Sequence, residues 1–234
     1  MKAVLLAGGR GVRLRPLTDK IPKPMVLIGG KPIMQWQIEW LQSFGVHSFV
    51  LSVGHLSEQI RAYFGDGGNY GVEVQYIVEK EPLGTGGALR KALEESDLDG
   101  HMYVANGDVL TNLDPRQMEA CRAERGVVGG ICLVPLSSPY GIVEVDGDSL
   151  VRSFAEKPQL SDYWINAGVY SFAPEIQPYL PTKGSLEQDV FPALSQEGKL
   201  LARKYSGCFW RSIDSHKDIE ETSERIPVMD ANDG

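Results

Sequence analysis

Lys2-Ala3-Val4-Leu5-Leu6-Ala7-Gly8-Gly9-Arg10-Gly11-Val12-Arg13-Leu14-Arg15-Pro16 opens the chain with an apolar run that breaks into glycine and then into positive charge. A short apolar run bounded by glycine fits a strand buried on both faces. Glycines let backbone N–H groups approach a ligand closely and adopt positive φ, and successive N–H groups of this kind form an anion-binding nest. Between positions 10 and 23, ending in Pro22-Lys23-Pro24, there are five basic side chains and one acid, Asp19. An arginine fork and a lysine point charge would complete a cradle for a polyphosphate. The P-loop requires Gly-Lys-Ser/Thr, which is absent, and the dinucleotide fingerprint requires glycine where Leu14 stands. A glycine turn beside a solvated basic loop is the bland alternative, and the flanking strand and basic residues weigh against it.

Outward from this stretch, strand and helix signals alternate. Pro32 opens a helix whose apolar residues Ile33, Trp36, Trp40, Leu41 and Phe44 fall at helical spacing before Gly45. Residues 48–53 and 72–78 read as strands, 56–64 and 88–95 as helices, and 101–105 as a buried strand before Asn106-Gly107-Asp108. Asp114-Pro115 starts a helix reaching about Arg125. The later residues are richer in strand: 140–145 and 150–156 flank a hairpin signal at Asp146-Gly147-Asp148, 164–172 is a further strand, and Ser185-Leu186-Glu187-Gln188 has the form of a capping box. This order predicts an α/β protein with a mostly parallel mixed sheet in three α/β/α layers, and ligands at the carboxyl ends of its strands. One domain over 1–234 is expected, with 1–125 as one wall of a cleft and 126–234 as the other.

The formal net charge of −8 argues against non-specific binding to nucleic acid or an acidic membrane, and makes the local basic excess more informative. The uncharged stretch 126–143 approaches a membrane span in length, but its glycines and prolines fit two strands and a turn better. No signal-peptide pattern opens the chain, and three cysteines without metal spacing cannot all pair. A cytoplasmic protein is expected, with the oligomeric state left open to a homo-oligomer.

Two further segments carry candidate chemistry. Glu79-Lys80-Glu81-Pro82-Leu83-Gly84-Thr85-Gly86-Gly87-Ala88-Leu89 is, taken alone, a proline-glycine loop opening a helix. Asp108, at the end of an apolar strand, is either a turn former or a hard carboxylate ligand for Mg²⁺, which prefers oxygen donors. His47, His55, His101 and His216 have no metal spacing, and Ser185 and Asp189 fit capping and surface roles.

The glycine-basic loop with Pro22-Lys23-Pro24-Met25, together with the segments downstream, resembles the sugar-nucleotide pyrophosphorylases, the nucleoside triphosphate:sugar-1-phosphate nucleotidyltransferases. The resemblance covers nearly the whole chain and implies a Rossmann-like α/β/α sandwich. It also implies in-line attack of a sugar-phosphate oxygen on an α-phosphate, with Mg²⁺ as cofactor. On that likeness Leu6, Ala7, Gly8, Gly9, Gly11 and Asn106 line the nucleotide, Arg13 holds the leaving phosphates and Lys23 neutralises the α-phosphate. Glu81, Gly84 and Thr85 would lie at the base, and the loop that holds them resembles that of guanylyltransferases for mannose- or heptose-type 1-phosphates. Asp108 becomes a metal ligand. Its usual partner lies in a Trp-x-Asp-Ile-Gly-Thr pattern, which here reads Trp210-Arg211-Ser212-Ile213-Asp214-Ser215, so the second carboxylate is assigned to Asp214. Gly141, Glu156, Lys157 and Asn166 mark the sugar-phosphate side, with Lys157 on the phosphate. Val12 stands where members usually have Thr or Glu. GTP with a mannose- or heptose-type 1-phosphate is the leading expectation. The register at Asp214 keeps a cytidylyl- or uridylyltransferase for glucose-type 1-phosphates as a rival. A non-catalytic nucleotide-sugar-binding regulator is a rival of another class. The long C-terminal β-helix that follows this motif in some members is not expected here, nor is a second, acyltransferase activity.

Overall fold

The computed structural model describes residues 1–226. In chain order the first elements are β1 (Lys2–Ala7), β2 (Leu27–Ile28), β3 (Lys31–Pro32), α1 (Ile33–Ser43), β4 (Ser48–Val53), α2 (Ser57–Phe64) and β5 (Glu73–Val78). Then come α3 (Gly84–Glu95), β6 (Met102–Asn106), β7 (Val109–Thr111) and α4 (Pro115–Arg125). The later elements are β8 (Gly129–Ser137), β9 (Ile142–Val145), β10 (Val151–Ala155) and β11 (Gln159–Phe172). They are followed by a π-helical turn at Leu186–Val190, α5 (Phe191–Gln196), β12 (Leu200–Lys204), β13 (Trp210–Ser212) and α6 (His216–Arg225).

A seven-stranded sheet in the order β12-β8-β11-β6-β1-β4-β5 takes strands from both sides of residue 126. Neighbouring strands run parallel except around β11, which is antiparallel to both β6 and β8. β1 lies between β4 and β6 and pairs in parallel with each. Successive residues of a strand face opposite sides of the sheet, so β1 feeds two cores. Ala3, Leu5 and Ala7 join Met34 and Ile38 of α1, Phe64 of α2 and Met118 of α4. Val4 joins Leu89 of α3 and Phe191 of α5 on the other face. This is the three-layer arrangement that the alternation of elements implies. Each such fully buried aliphatic side chain contributes roughly 1.5–3 kcal/mol.

The site is placed by the change of direction at β1. The chain leaves β4 on one side and β6 on the other, and the crevice at such a switch point opens at the carboxyl ends of the strands. Ala7 and Asn106 end the two strands that flank it.

Two local expectations are corrected. The third helix begins at Gly84 rather than at position 88, inside the glycine-rich loop. Its first N–H groups find an acceptor in tertiary structure: Gly86 and Gly87 both donate to the carbonyl of Gly184, at 3.0 and 3.3 Å. A Cβ at Gly84 would lie 2.3 Å from that same oxygen, so only glycine permits this approach. The capping box at Ser185 is also displaced. Ser185 Oγ accepts from Glu187 and Gln188, but the reciprocal acceptor for its own N–H is Asp189, at 2.6 Å, because the chain enters a π turn with one residue more. A full capping box does occur at Ser215 and Asp218, opening α6 directly after Asp214.

Candidate functional site

The glycine-basic loop is held by an apolar anchor. Leu14 is fully buried with Val26, Ile28, Ile33, Trp36, Leu110 and Ile213, which fastens the loop to α1, β7 and the segment after β13. Leu14 therefore occupies the dinucleotide fingerprint's glycine position as a core residue. Gly11 adopts φ 61°, with its carbonyl accepting from Thr18 Oγ1 at 2.8 Å, and Val12–Leu14 form one 3₁₀ turn. Val12 is exposed. The loop edges a cleft of about 410 Å³ lined by Leu6, Ala7, Gly8, Gly9, Gly11, Arg13 and Lys23. Gly84 and Thr85 of α3, Asn106, and the pair Asp108 and Asp214 also face this cleft.

A small sheet brings Asp108 and Asp214 together. β13 pairs antiparallel with β7, Ser212 opposite Val109, and the ladder continues as Ile213 N–H donates to the Asp108 carbonyl at 2.9 Å. Lys23 Nζ stands between the two carboxylates, 2.7 Å from Asp108 Oδ2 and 2.8 Å from Asp214 Oδ1. Arg13 reaches the same Asp214 oxygen at 2.8 Å, with most of its side chain exposed. Ser212, at the position where the resemblance puts the second Asp, donates to Asp214 Oδ2 at 3.0 Å and so orients it. Burial pushes the Asp214 carboxyl up, but Lys23, Ser212 and Arg13 outweigh this and hold it below the usual carboxylate value. Two carboxylates thus converge on one cation at the mouth of the cleft. Among the described residues no group of three or more His, Cys, Asp or Glu side chains forms a metal cage.

The far end of the cleft departs from the sequence expectation. Glu81 does not line it; its carboxylate pairs with Lys183 at 3.0 Å on the surface. Glu79 lines it instead, 9% exposed, accepting from Ser52 Oγ at 3.0 Å and from Leu83 N–H at 3.2 Å. A Cβ on Gly8 would fall 2.1 Å from Glu79 Oε1, so the glycine loop and this carboxylate pack directly on each other. The Thr85 hydroxyl has spent its proton within the fold: it donates to Glu187 Oε2 at 2.7 Å and accepts from Leu186 N–H at 2.8 Å. The Glu187 carboxyl is pushed up by burial, yet hydroxyls of Ser185, Thr85 and Tyr170 hold it below its ordinary value.

The residues expected on the sugar-phosphate side are placed less tightly. Gly141, Glu156 and Lys157 lie at the base of the β9–β10 hairpin and do not line the cleft. Lys157 Nζ is 3.7 Å from Glu156 Oε1, and both side chains are more than half exposed. Asn166 on β11 lies deeper, donating to Tyr170 OH at 2.9 Å and accepting from Gly168 N–H at 2.8 Å.

Sequence reasoning passed over Glu79, Ser212 as an orienting group, and Gln37. Each had a signal. Glu79 follows the carboxyl end of a strand, where α/β ligand sites form. Gln37 is the polar exception on the apolar stripe of α1, among Ile33, Trp36, Trp40 and Leu41.

A family model described as nucleotidyl transferase matches residues 2–227. The mannose-1-phosphate guanylyltransferase catalytic subunit beta of Danio rerio is 37% identical over 226 residues, covering 94% of this chain and 62% of that protein. A UTP–glucose-1-phosphate uridylyltransferase of Synechocystis sp. is 36% identical over 217 residues, covering 85% of this chain and 56% of that protein. The chain thus spans less than two thirds of the length of these relatives. Among solved structures, HddC from Yersinia pseudotuberculosis superposes with a TM-score of 0.75 at 30% identity, covering 96% of this chain and 99% of that one. The same protein complexed with GMP-PN gives 0.73.

Proposed function

This chain belongs to the nucleotidyl transferase family, and from that premise we propose that it joins GTP to a mannose- or heptose-type sugar 1-phosphate, releasing pyrophosphate. The observation that carries the reading is the arrangement of Arg13 and Lys23 against Asp108 and Asp214 at the mouth of a cleft floored by a glycine loop. A sugar-phosphate oxygen attacks the α-phosphorus, a new P–O bond forms, and the bond to the β-phosphate breaks with its electron pair leaving on pyrophosphate. No covalent enzyme intermediate is needed. Arg13 holds the leaving phosphates and Lys23 offsets charge growing at the α-phosphate, the main contribution a protein makes to phosphoryl-type transfer. To do so, Lys23 exchanges a carboxylate partner for a phosphate oxygen. Lys157 would hold the attacking phosphate in line.

Asp108 and Asp214 suit Mg²⁺: the donors are hard oxygens, they already converge on a cation, and Mg²⁺ takes few carboxylates and completes its shell with water and substrate phosphates. When bound, the ion supplies charge neutralisation at the phosphates. Glu79 supports guanine as the base. A carboxylate accepts and does not donate hydrogen bonds, and only guanine among the common bases offers two adjacent donors, N1–H and the 2-amino group, on one edge. The guanylyltransferase relatives and the neighbour solved with GMP-PN point the same way. The uridylyltransferase relative favours UTP as the second reading, and the register at Asp214 keeps CTP beside it. Three free thiols, Cys121, Cys132 and Cys208, suit a reducing, cytoplasmic setting, and no described helix is long and apolar enough to cross a membrane.

The test is pyrophosphate release from each common triphosphate paired with a panel of sugar 1-phosphates. GTP with a mannose- or heptose-type 1-phosphate is expected to lead. Release with UTP and glucose 1-phosphate would favour the second reading, and none from any pair would favour a binding protein without turnover.

A further inference from the structure

Gln37 is 1% exposed on the core face of α1, where its neighbours on the stripe are apolar. Its Nε2 donates to two backbone carbonyls, Asn106 and Val109, each at 2.8 Å. Both partners are acceptors, so the amide group must face them and the orientation of the side chain is fixed. Those carbonyls bracket the turn Asn106-Gly107-Asp108-Val109. The other side of the same turn is pinned by Gly107 N–H to the Leu6 carbonyl at 2.9 Å, and a Cβ at Gly107 would lie 2.8 Å from that oxygen. Gln37 Oε1, by contrast, is buried with no protein hydrogen-bond partner among the described residues. A buried acceptor left unpaired is a cost to the fold, so the amide is a poor choice for packing alone.

We propose that Gln37 is a positioning residue for the reaction, clamping the two ends of the Asp108 turn so that its carboxylate stays aligned with Asp214. The clamp also reaches Asp214, because Val109 is the residue of β7 opposite Ser212 of β13. Gln37 touches no substrate; it acts through the backbone that carries Asp108 and registers β13. The functional part of this inference rests on the metal role proposed for Asp108 and Asp214.

The experiment uses the full chain with Mn²⁺ alone as the probe, in wild type, Asp108→Asn and Gln37→Met. Binding is followed by titration, and amide hydrogen exchange by mass spectrometry on the segment 106–109 and on β4 as reference. Gln37→Met keeps the volume and removes the donor. It is expected to weaken Mn²⁺ binding about tenfold, as loss of an orienting partner behind a metal ligand does. Exchange at 106–109 is expected to rise about tenfold with β4 unchanged, as the turn opens locally. Unchanged exchange at 106–109 overturns the clamp, whatever happens to thermal stability. Faster exchange with unchanged Mn²⁺ affinity also overturns it, because the turn then does not align the carboxylate. If wild type and Asp108→Asn titrate alike, the metal reading has failed, and the exchange measurement still decides whether Gln37 holds the turn. Should Gln37→Met fail to fold, Gln37→Leu, which also lacks the donor, carries the same two readouts.

Discussion

The lining of the cleft and the β9–β10 hairpin are built on different terms. On the glycine-loop side, charged groups that face the cleft are held by neighbours: Lys23 between two carboxylates, Asp214 by Ser212, and Glu79 by Ser52 and Leu83; the loop itself is anchored by Leu14 in a core. On the hairpin side, among the described residues Lys157 and Glu156 have only each other at 3.7 Å, and Val143, Val145, Val151 and Phe154 are exposed on a two-stranded hairpin that joins no larger sheet. On the proposed reading, the triphosphate half is preorganised by its own fold, whereas the sugar-phosphate half requires movement or a ligand to bring Lys157 to the reaction. Preorganised charge is the kind that lowers a barrier without reorganisation at the moment of reaction.

Substitutions can break or sharpen that contrast. The largest effect is expected from Asp108→Ala, which should lower turnover on the order of 10²–10³-fold while the circular dichroism spectrum stays native. Near-normal turnover would remove Asp108 from the chemistry. Next, Glu79→Gln should cut the preference for GTP over other triphosphates by about 10- to 100-fold, the worth of a charge-assisted hydrogen bond to the base. A preference unchanged in competition assays would leave base selection to the backbone. A smaller, one-sided effect is expected from Lys157→Ala: KM for the sugar 1-phosphate rises about tenfold while nucleotide affinity, measured by calorimetry, does not change. Equal losses on both substrates would show that the two regions are not separable. The smallest is Phe154→Ser on the exposed hairpin, expected to change stability by no more than about 0.5 kcal/mol in urea unfolding. A loss of several kcal/mol would mean that this apolar face is covered in solution.

Much of this architecture is legible in the amino-acid sequence. The apolar run 2–7, the turn chemistry at Asp146-Gly147-Asp148 and Asp114 as an N-cap, whose Oδ1 accepts from Arg116 N–H at 3.0 Å, are local signals that tertiary structure leaves alone. What is not legible depends on distant backbone. The start of α3 at Gly84 is set by the carbonyl of Gly184, a hundred residues away. The displaced capping box follows from a π turn, for which the sequence pattern has no mark. In the cleft, period alone cannot rank Glu79 against Glu81, two residues apart and alike in chemistry; their burial separates them. Asp214 is a middle case. Its sequence register differs by two from the common pattern, and only the pairing of β13 with β7 places it beside Asp108.

On the proposed reading, the basic loop and the two carboxylates transfer a nucleotidyl group rather than merely hold a nucleotide. The most direct measurement is to incubate the protein with α-³²P-labelled GTP, Mg²⁺ and mannose 1-phosphate or a heptose 1-phosphate, following the label and pyrophosphate together. Label is expected in a GDP-sugar with one pyrophosphate released for each, lost on removal of Mg²⁺. Label that remains in the triphosphate, bound but unconverted, with GTP and with every other α-labelled triphosphate across the panel of sugars, would contradict transfer.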